Sequence, residues 1–273
     1  MLRTFDAALA YAAKHGLQAL IVSERGSIAV ETYDNGCTQV SPHALYSGAK
    51  SFWGTAALCS VEDGLIDLDA PVVSHIPEFK DDIRRTITPR MLLTMTAGYG
   101  FGGLGSAVPT YEKALGIPLK DVPGERFTYS GIPFQVFGAF FSRVLGSETP
   151  QAYLTRRILQ PAGVEIATWR SLKDGNQPLP TGAAMQARQW LSYGAFILAN
   201  RTRFAQAFRG TNANVRYGLG WWLTPPGLSD DVFYASGSGG QALYVIPARE
   251  LIVAHFSQST SYKHDAFLKR LLA

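Results

Sequence analysis

The spacing of apolar residues changes character twice along the chain. Leu2, Phe5, Leu9 and Ala12 recur at helical spacing with Asp6 among them, which predicts an amphipathic first helix. Beyond Gly16 the pattern shortens into β-rich runs. QALIVS and SIAVETY flank Glu24-Arg25-Gly26, the signature of a hairpin around a glycine turn. The same texture returns near the other end. DVFYAS, QALYVIP and ELIVAHF are strand-like runs broken by Gly-rich or Pro-containing turns, and a helix over about 263–272 follows them. Five strands of this kind predict one antiparallel sheet with the two terminal helices on one face.

Between those ends the period is helical. SGAKSFWGTAALCSVEDG reads as a helix stopped by Gly64. TPRMLLTM opens with Thr88 as N-cap and Pro89 in the first turn. IPFQVFGAFFSRVLG sets Phe134, Phe137, Phe141 and Val144 on one stripe and ends at Gly146. AMQARQWLSYGAFILAN reads as a further helix. The expected fold class is α/β (α+β). An α/β lobe from about 1–46 and 205–273 holds the five-stranded sheet, and an all-helical lobe of about 47–204 is inserted into it. A cleft between two such lobes is a natural ligand site.

Composition narrows the function classes. The 273 residues are 47% hydrophobic and 17% charged, which suits one large globular domain or two interlocked lobes. The net charge of +4 comes with no Lys/Arg block, so no nucleic-acid partner is expected. No apolar run reaches the length of a membrane span, so no membrane partner is expected either. The first helix lacks the continuous apolar stretch of a signal peptide, and the chain as written reads as cytoplasmic. Cys37 and Cys59 form neither a disulfide framework nor a metal-ligand spacing, and the histidines are scattered, so neither metal nor cofactor is expected. Gly98 to Gly103 matches G-x-G-x-x-G. A dinucleotide site needs a strand before that motif and a helix after it, whereas a Pro-started helix precedes it and SAVPTY follows. A loop at the cleft mouth is the better reading.

Three segments carry candidate chemistry. Ser47-Gly48-Ala49-Lys50 is the one S-x-x-K in the chain. Three apart on a helix, Ser47 and Lys50 share a face, and the helix start favours negative charge developing at the hydroxyl. A lysine serves as base for that hydroxyl only if burial depresses its pKa; Ala49, Phe52 and Trp53 supply apolar cover. Tyr129, in Phe127-Thr128-Tyr129-Ser130-Gly131, stands at a loop–helix junction from which its hydroxyl can enter a cleft. A lysine ammonium beside it would lower its pKa and make it a proton shuttle. Ala235 to Gln241, rich in Ser and Gly, lies at the edge of the C-terminal sheet. Small residues there let a substrate approach and leave N–H groups for an oxyanion.

Taken in order, LYSGAKSF, ITPRMLLTMTAGY, FTYSG, TGAAMQARQWLSYGAFIL, RYGLGWWL and ASGSGGQALYVIPARELIVA resemble the serine β-lactamase, penicillin-binding-protein and family VIII esterase superfamily. The likeness is greatest to its class C-like branch and runs over nearly the whole chain. The resemblance implies that Ser47 is acylated, that Lys50 takes its proton, and that Tyr129 protonates the leaving group and later helps activate water. It implies an oxyanion hole from the backbone N–H groups of Ser47 and Ser238; a shift of two residues in the Gly/Ser-rich stretch would move the second to Gly240. Ser236, Gly237, Gly131 and Trp222 become candidate substrate contacts, with Tyr111, Trp190 and Trp222 shaping the pocket.

Departures from the family pattern redirect the expected substrate. Ala235 stands where the K/H-T/S-G motif has its basic residue, and Gly131 stands where Y-x-N has its Asn. Losing a charge-assisted hydrogen bond to a carboxylate removes on the order of 1.5–3 kcal/mol. Gln186 and Gln189 replace a usual Thr and Asp, which reads as altered local structure. The expected activity is therefore that of a serine hydrolase, an esterase or amidase working through an acyl-enzyme on a small-molecule ester or amide. A β-lactamase or D,D-peptidase is one alternative, and a non-catalytic penicillin-binding-like module is the other.

Overall fold

A computed structural model describes residues 5–273, so Leu2 of the first helix lies outside the described residues. Helix α1 spans Asp6–Lys14 and buries Ala8 and Ala12. The hairpin follows as β1 (Leu17–Glu24) and β2 (Ser27–Tyr33). Its turn residues, Arg25 and Gly26, have φ of 50° and 79°; two left-handed residues in a row match the twist of the flanking strands. Strand β3 (Pro42–Ala44) leads into a 3-10 turn over Tyr46–Lys50, which runs directly into α2 (Ser51–Glu62). Helices α3 (Pro89–Leu93), α4 (Tyr111–Leu115), α5 (Ile132–Leu145) and α6 (Pro150–Leu154) come next. Thr88 caps α3 as its sequence requires, accepting a hydrogen bond from the Met91 N–H at 3.2 Å.

Strands β4 (Thr168–Trp169) and β5 (Ala183–Gln186) precede α7 (Ala187–Ala199). The chain finishes with β6 (Trp222–Leu223), β7 (Phe233–Gly237), β8 (Gln241–Ile246), β9 (Leu251–Ser257) and α8 (His264–Leu272). The main sheet is antiparallel in the order β2-β1-β9-β8-β7-β6. It has six strands where the sequence pattern predicts five. The sixth, β6, is two residues long and too short to show alternation; it exists because Trp222 and Leu223 pair with Tyr234 and Phe233. A second sheet orders β3-β5-β4. Its centre, Ala183–Gln186, reads in the sequence as the head of a helix; pairing with β3 and β4 on both sides overrides that local preference.

Alternation along the central strands sorts the core into two layers. Leu20, Val22, Tyr244, Ile246, Leu251 and Val253 face one side, where Phe267, Leu268 and Leu271 of α8 join Ala8 and Ala12 of α1. The two terminal helices thus cover one face together, as expected. Ala19, Ile21, Leu243, Val245, Ile252 and Phe256 face the other side. Helix α7, which falls within the expected helical insertion, in fact packs on that face against β1, β8 and β9. Trp190 of α7 lies 4.8 Å from Phe256 between ring centroids. No described helix is long and apolar enough to cross a membrane.

The buried helix α2 is held from three directions. Trp53 donates to the Leu179 carbonyl at 2.7 Å, and Tyr193 and Trp221 both donate to the Ser51 carbonyl at 3.1 Å. Strand β7 closes on the 3-10 turn before α2. A side chain at Gly237 would collide with the Leu45 carbonyl, so only glycine lets this strand edge approach the turn that carries Ser47.

Candidate active site

Ser47 lies in the 3-10 turn, and its hydroxyl faces a cleft of about 640 Å³. Tyr46, directly before it, has φ of 47°, a left-handed conformation that stores roughly 1–3 kcal/mol in a non-glycine residue. The strained turn presents Ser47 at the rim while Lys50 points inward. Lys50 is 1% exposed. Its Nζ donates to Ser47 Oγ at 2.9 Å and to the Pro180 carbonyl at 3.2 Å. The amine lies 5.0 Å from the centre of the Tyr129 ring and 5.8 Å from that of Phe134. No carboxylate forms an ion pair with it among the described residues. Burial without a counter-charge lowers its pKa to about 7.

Tyr129 comes from the loop before α5 and stacks on Trp222 at 5.7 Å between ring centroids. Its phenol differs from the sequence expectation. Burial raises its pKa, and the hydrogen bond to Ser47 only partly offsets that. The expected downward pull needs a full ammonium, and a lysine near its own midpoint at neutral pH carries only about half of that charge on average. Tyr129 is therefore a protonated phenol at neutral pH.

The cleft gathers Ser47, Tyr129, Trp222, Ser236, Gly237 and Ser238 of the sequence candidates. Ser238 lines it and Gly240 does not. The Gly240 carbonyl instead accepts from His255 at 2.7 Å, behind the sheet edge.

Three other expectations are corrected. Gly131 is buried outside the cleft, beneath the 98–105 loop. Its N–H donates to the Gly102 carbonyl at 2.9 Å, and a Cβ here would collide with the Gly103 carbonyl. It is a close-packing glycine, not a substrate contact. Tyr111 packs on α5 and donates to the Gln177 carbonyl at 3.0 Å, which removes it from the pocket wall. Trp190 lies fully buried between Gly48 and the sheet. The Gly98–Gly103 motif is a loop that follows α3 and leads to a short 3-10 turn over Gly105–Ala107, so it lacks the strand–helix setting of a dinucleotide fingerprint. Leu104 and Gly105 at its end do line the cleft.

The residue that sequence reasoning missed is His264. It opens α8, lines the cleft and lies 2.9 Å from Ser236 through Nε2. Its polar partners are 20 and 28 residues away, so no local motif marks it.

Fold and site together define a penicillin-recognising type of serine hydrolase scaffold. The family model described as Beta-lactamase matches residues 3–273, and the chain belongs to that family, whose members are serine hydrolases. The curated Protein flp of Staphylococcus aureus (strain MW2) is 27% identical over 147 residues, covering 48% of this chain and 29% of that protein. The chain thus matches less than a third of that relative's length. Among solved structures, a D-stereospecific amidohydrolase from Streptomyces sp. superposes with a TM-score of 0.78 at 14% identity over 98% of both chains. A class C beta-lactamase from Rhodobacter sphaeroides does so at 0.76 and 16% identity, again over 98% of both. At these identities the likeness is one of fold.

The packing at position 131 carries a direct consequence. Gly131→Asn, which restores the family's residue type, is expected to cost about 1–3 kcal/mol of stability by overpacking. Urea denaturation of the variant and the parent measures it; unchanged stability would show that the 98–105 loop yields freely.

Proposed function

We propose that this chain hydrolyses small carboxylic esters or amides through an acyl-enzyme on Ser47. The observation that carries the reading is the buried, uncompensated Lys50 amine 2.9 Å from the Ser47 hydroxyl. A neutral amine there takes the Ser47 proton as Oγ adds to the substrate carbonyl. The backbone N–H groups of Ser47 and Ser238 receive the oxyanion that forms. Tyr129 then gives its proton to the departing alcohol or amine and regains one from the Lys50 ammonium. Water adds to the acyl carbon as the same Tyr129–Lys50 pair takes one of its protons, and that proton passes to Ser47 Oγ as the ester C–O bond breaks and the acid leaves. Every group regains the protonation state it began with, so the cycle closes without a further reagent.

Substrate preference follows from what the cleft lacks. Ala235 is buried and uncharged where β-lactam chemistry in the family has a cation, and among the described residues no lysine or arginine lines the cleft. A substrate carboxylate therefore loses its water without gaining a counter-charge. The likeness in fold to a D-stereospecific amidohydrolase supports including amides beside esters.

Release of p-nitrophenol from short-chain acyl esters should be readily measurable, while nitrocefin should turn over about ten- to a hundred-fold less efficiently. Ser47→Ala should reduce ester turnover to the uncatalysed rate. Wild-type turnover in that variant contradicts the nucleophile, and rapid nitrocefin hydrolysis contradicts the substrate preference.

The pH dependence has a definite sign. Lys50 acts as base only when deprotonated, and its folded-state pKa is about 7. On the acid side kcat/KM should therefore rise about tenfold per pH unit and level off above neutrality. A profile that is flat from mildly acidic to mildly alkaline pH would rule out Lys50 as the titrating base.

A further inference from the structure

One wall of the cleft carries a polar chain that the acylation chemistry does not use. Ser236 Oγ lies 2.9 Å from His264 Nε2, His264 Nδ1 lies 2.7 Å from the Tyr244 hydroxyl, and that hydroxyl lies 3.0 Å from the one on Tyr262. Strand alternation explains the placement. Position 235 of β7 packs in the core layer under α7, so Tyr234 and Ser236 turn to the face that α8 covers, beside Tyr244 of the paired strand. The remaining walls are largely aromatic, with Tyr46, Tyr129, Trp222 and Tyr234, and among the described residues no Lys, Arg, Asp or Glu lines the cleft.

We propose that Ser236 and His264 are the specificity-determining pair of this cleft, recognising a neutral carboxamide on an aromatic substrate and discriminating against carboxylates. The proposal deepens the hydrolase reading and rests on it for the assignment of this cleft as the substrate site.

A neutral imidazole has one donor and one acceptor nitrogen. When Tyr244 donates to Nδ1, the Nε2 hydrogen goes to Ser236 Oγ, and the serine O–H is free to point into the cleft. When the chain reverses, Ser236 donates to Nε2 and offers only lone pairs. A carboxamide carries both a donor and an acceptor and satisfies either arrangement. A carboxylate only accepts, and it brings a charge that this wall does not compensate. Desolvation holds the His264 pKa at about 4, with the neighbouring Asp265 pulling weakly upward. Burial also keeps the phenols of Tyr244 and Tyr262 protonated, so the whole chain is uncharged at neutral pH.

Ser236, His264 and Tyr244 line up like a nucleophile, a base and its orienting group. The third member is a phenol, which cannot stabilise an imidazolium as a carboxylate does. The pair therefore binds and positions; it does not attack.

The test is calorimetric binding of phenylacetamide and phenylacetate at neutral pH to the Ser47→Ala protein, which cannot turn either over. The amide should bind at least about tenfold more tightly. Adding Ser236→Ala or His264→Phe should bring the two ligands to within about threefold of each other. If His264→Phe does not fold, the smaller Ser236→Ala change decides alone. Equal binding, a carboxylate preference, no detectable binding of either ligand, or a preference that survives both substitutions overturns the proposal. Fluorophosphonate labelling of the protein with Ser47 intact reports the catalytic reading separately. Labelling at Ser47 with no amide preference sinks the recognition pair alone, and an amide preference with no labelling sinks the hydrolase reading alone. Label on the Ser236 peptide overturns its role as a binding group.

Discussion

The site depends on keeping water away from one amine. Lys50 is enclosed by Ser47, the Pro180 carbonyl and the rings of Tyr129 and Phe134, with no carboxylate among the described residues to balance it. Depressing its pKa from 10.5 to about 7 corresponds to roughly 5 kcal/mol of lost ammonium stabilisation. The surrounding fold carries that cost. Helix α2 is almost wholly buried, and hydrogen bonds from Trp53, Tyr193 and Trp221 hold it to three separate chain segments. A looser shell would admit water, restore the ammonium and remove the base.

The same enclosure sets the proton inventory of the cleft. A half-protonated Lys50 leaves Tyr129 with a weakened cationic neighbour, so burial dominates and the phenol keeps its proton. These protonation states suit the proposed roles, in which the amine accepts and the phenol donates. Beside Ser236, His264 is likewise held neutral by burial. Apart from the half-protonated Lys50 amine, a cleft of protonated phenols, hydroxyls and a neutral imidazole has little to offer an anion. The absence of a basic side chain at Ala235 is thus matched by the rest of the pocket.

Much of this was legible in the sequence. Apolar alternation in β1, β8 and β9, the Arg25-Gly26 turn and the Thr88 cap are local signals, and each produced the expected element. Ser47, Lys50 and Tyr129 were recognisable because six segments follow one family order, and the structure brings the three side chains together. What was not legible depends on distant partners. Ala183–Gln186 becomes a strand because two other strands pair with it. Gly131 is a glycine because the Gly103 carbonyl crosses over it, not because a substrate contact was lost. His264 joins the cleft because α8 packs against β7 and β8, and its partners leave no spacing for a motif to show.

The central claim is that burial brings Lys50 into titration near neutrality, so that a large share of it is a neutral base at working pH. The most direct measurement is a carbon-13 NMR titration of protein labelled at the lysine ε-carbon, with the Lys50 signal assigned by its loss in Lys50→Met. The account predicts a midpoint of about 7 for that signal, well apart from the other lysines. A midpoint above about 9, close to that of an ordinary solvated lysine, would contradict it.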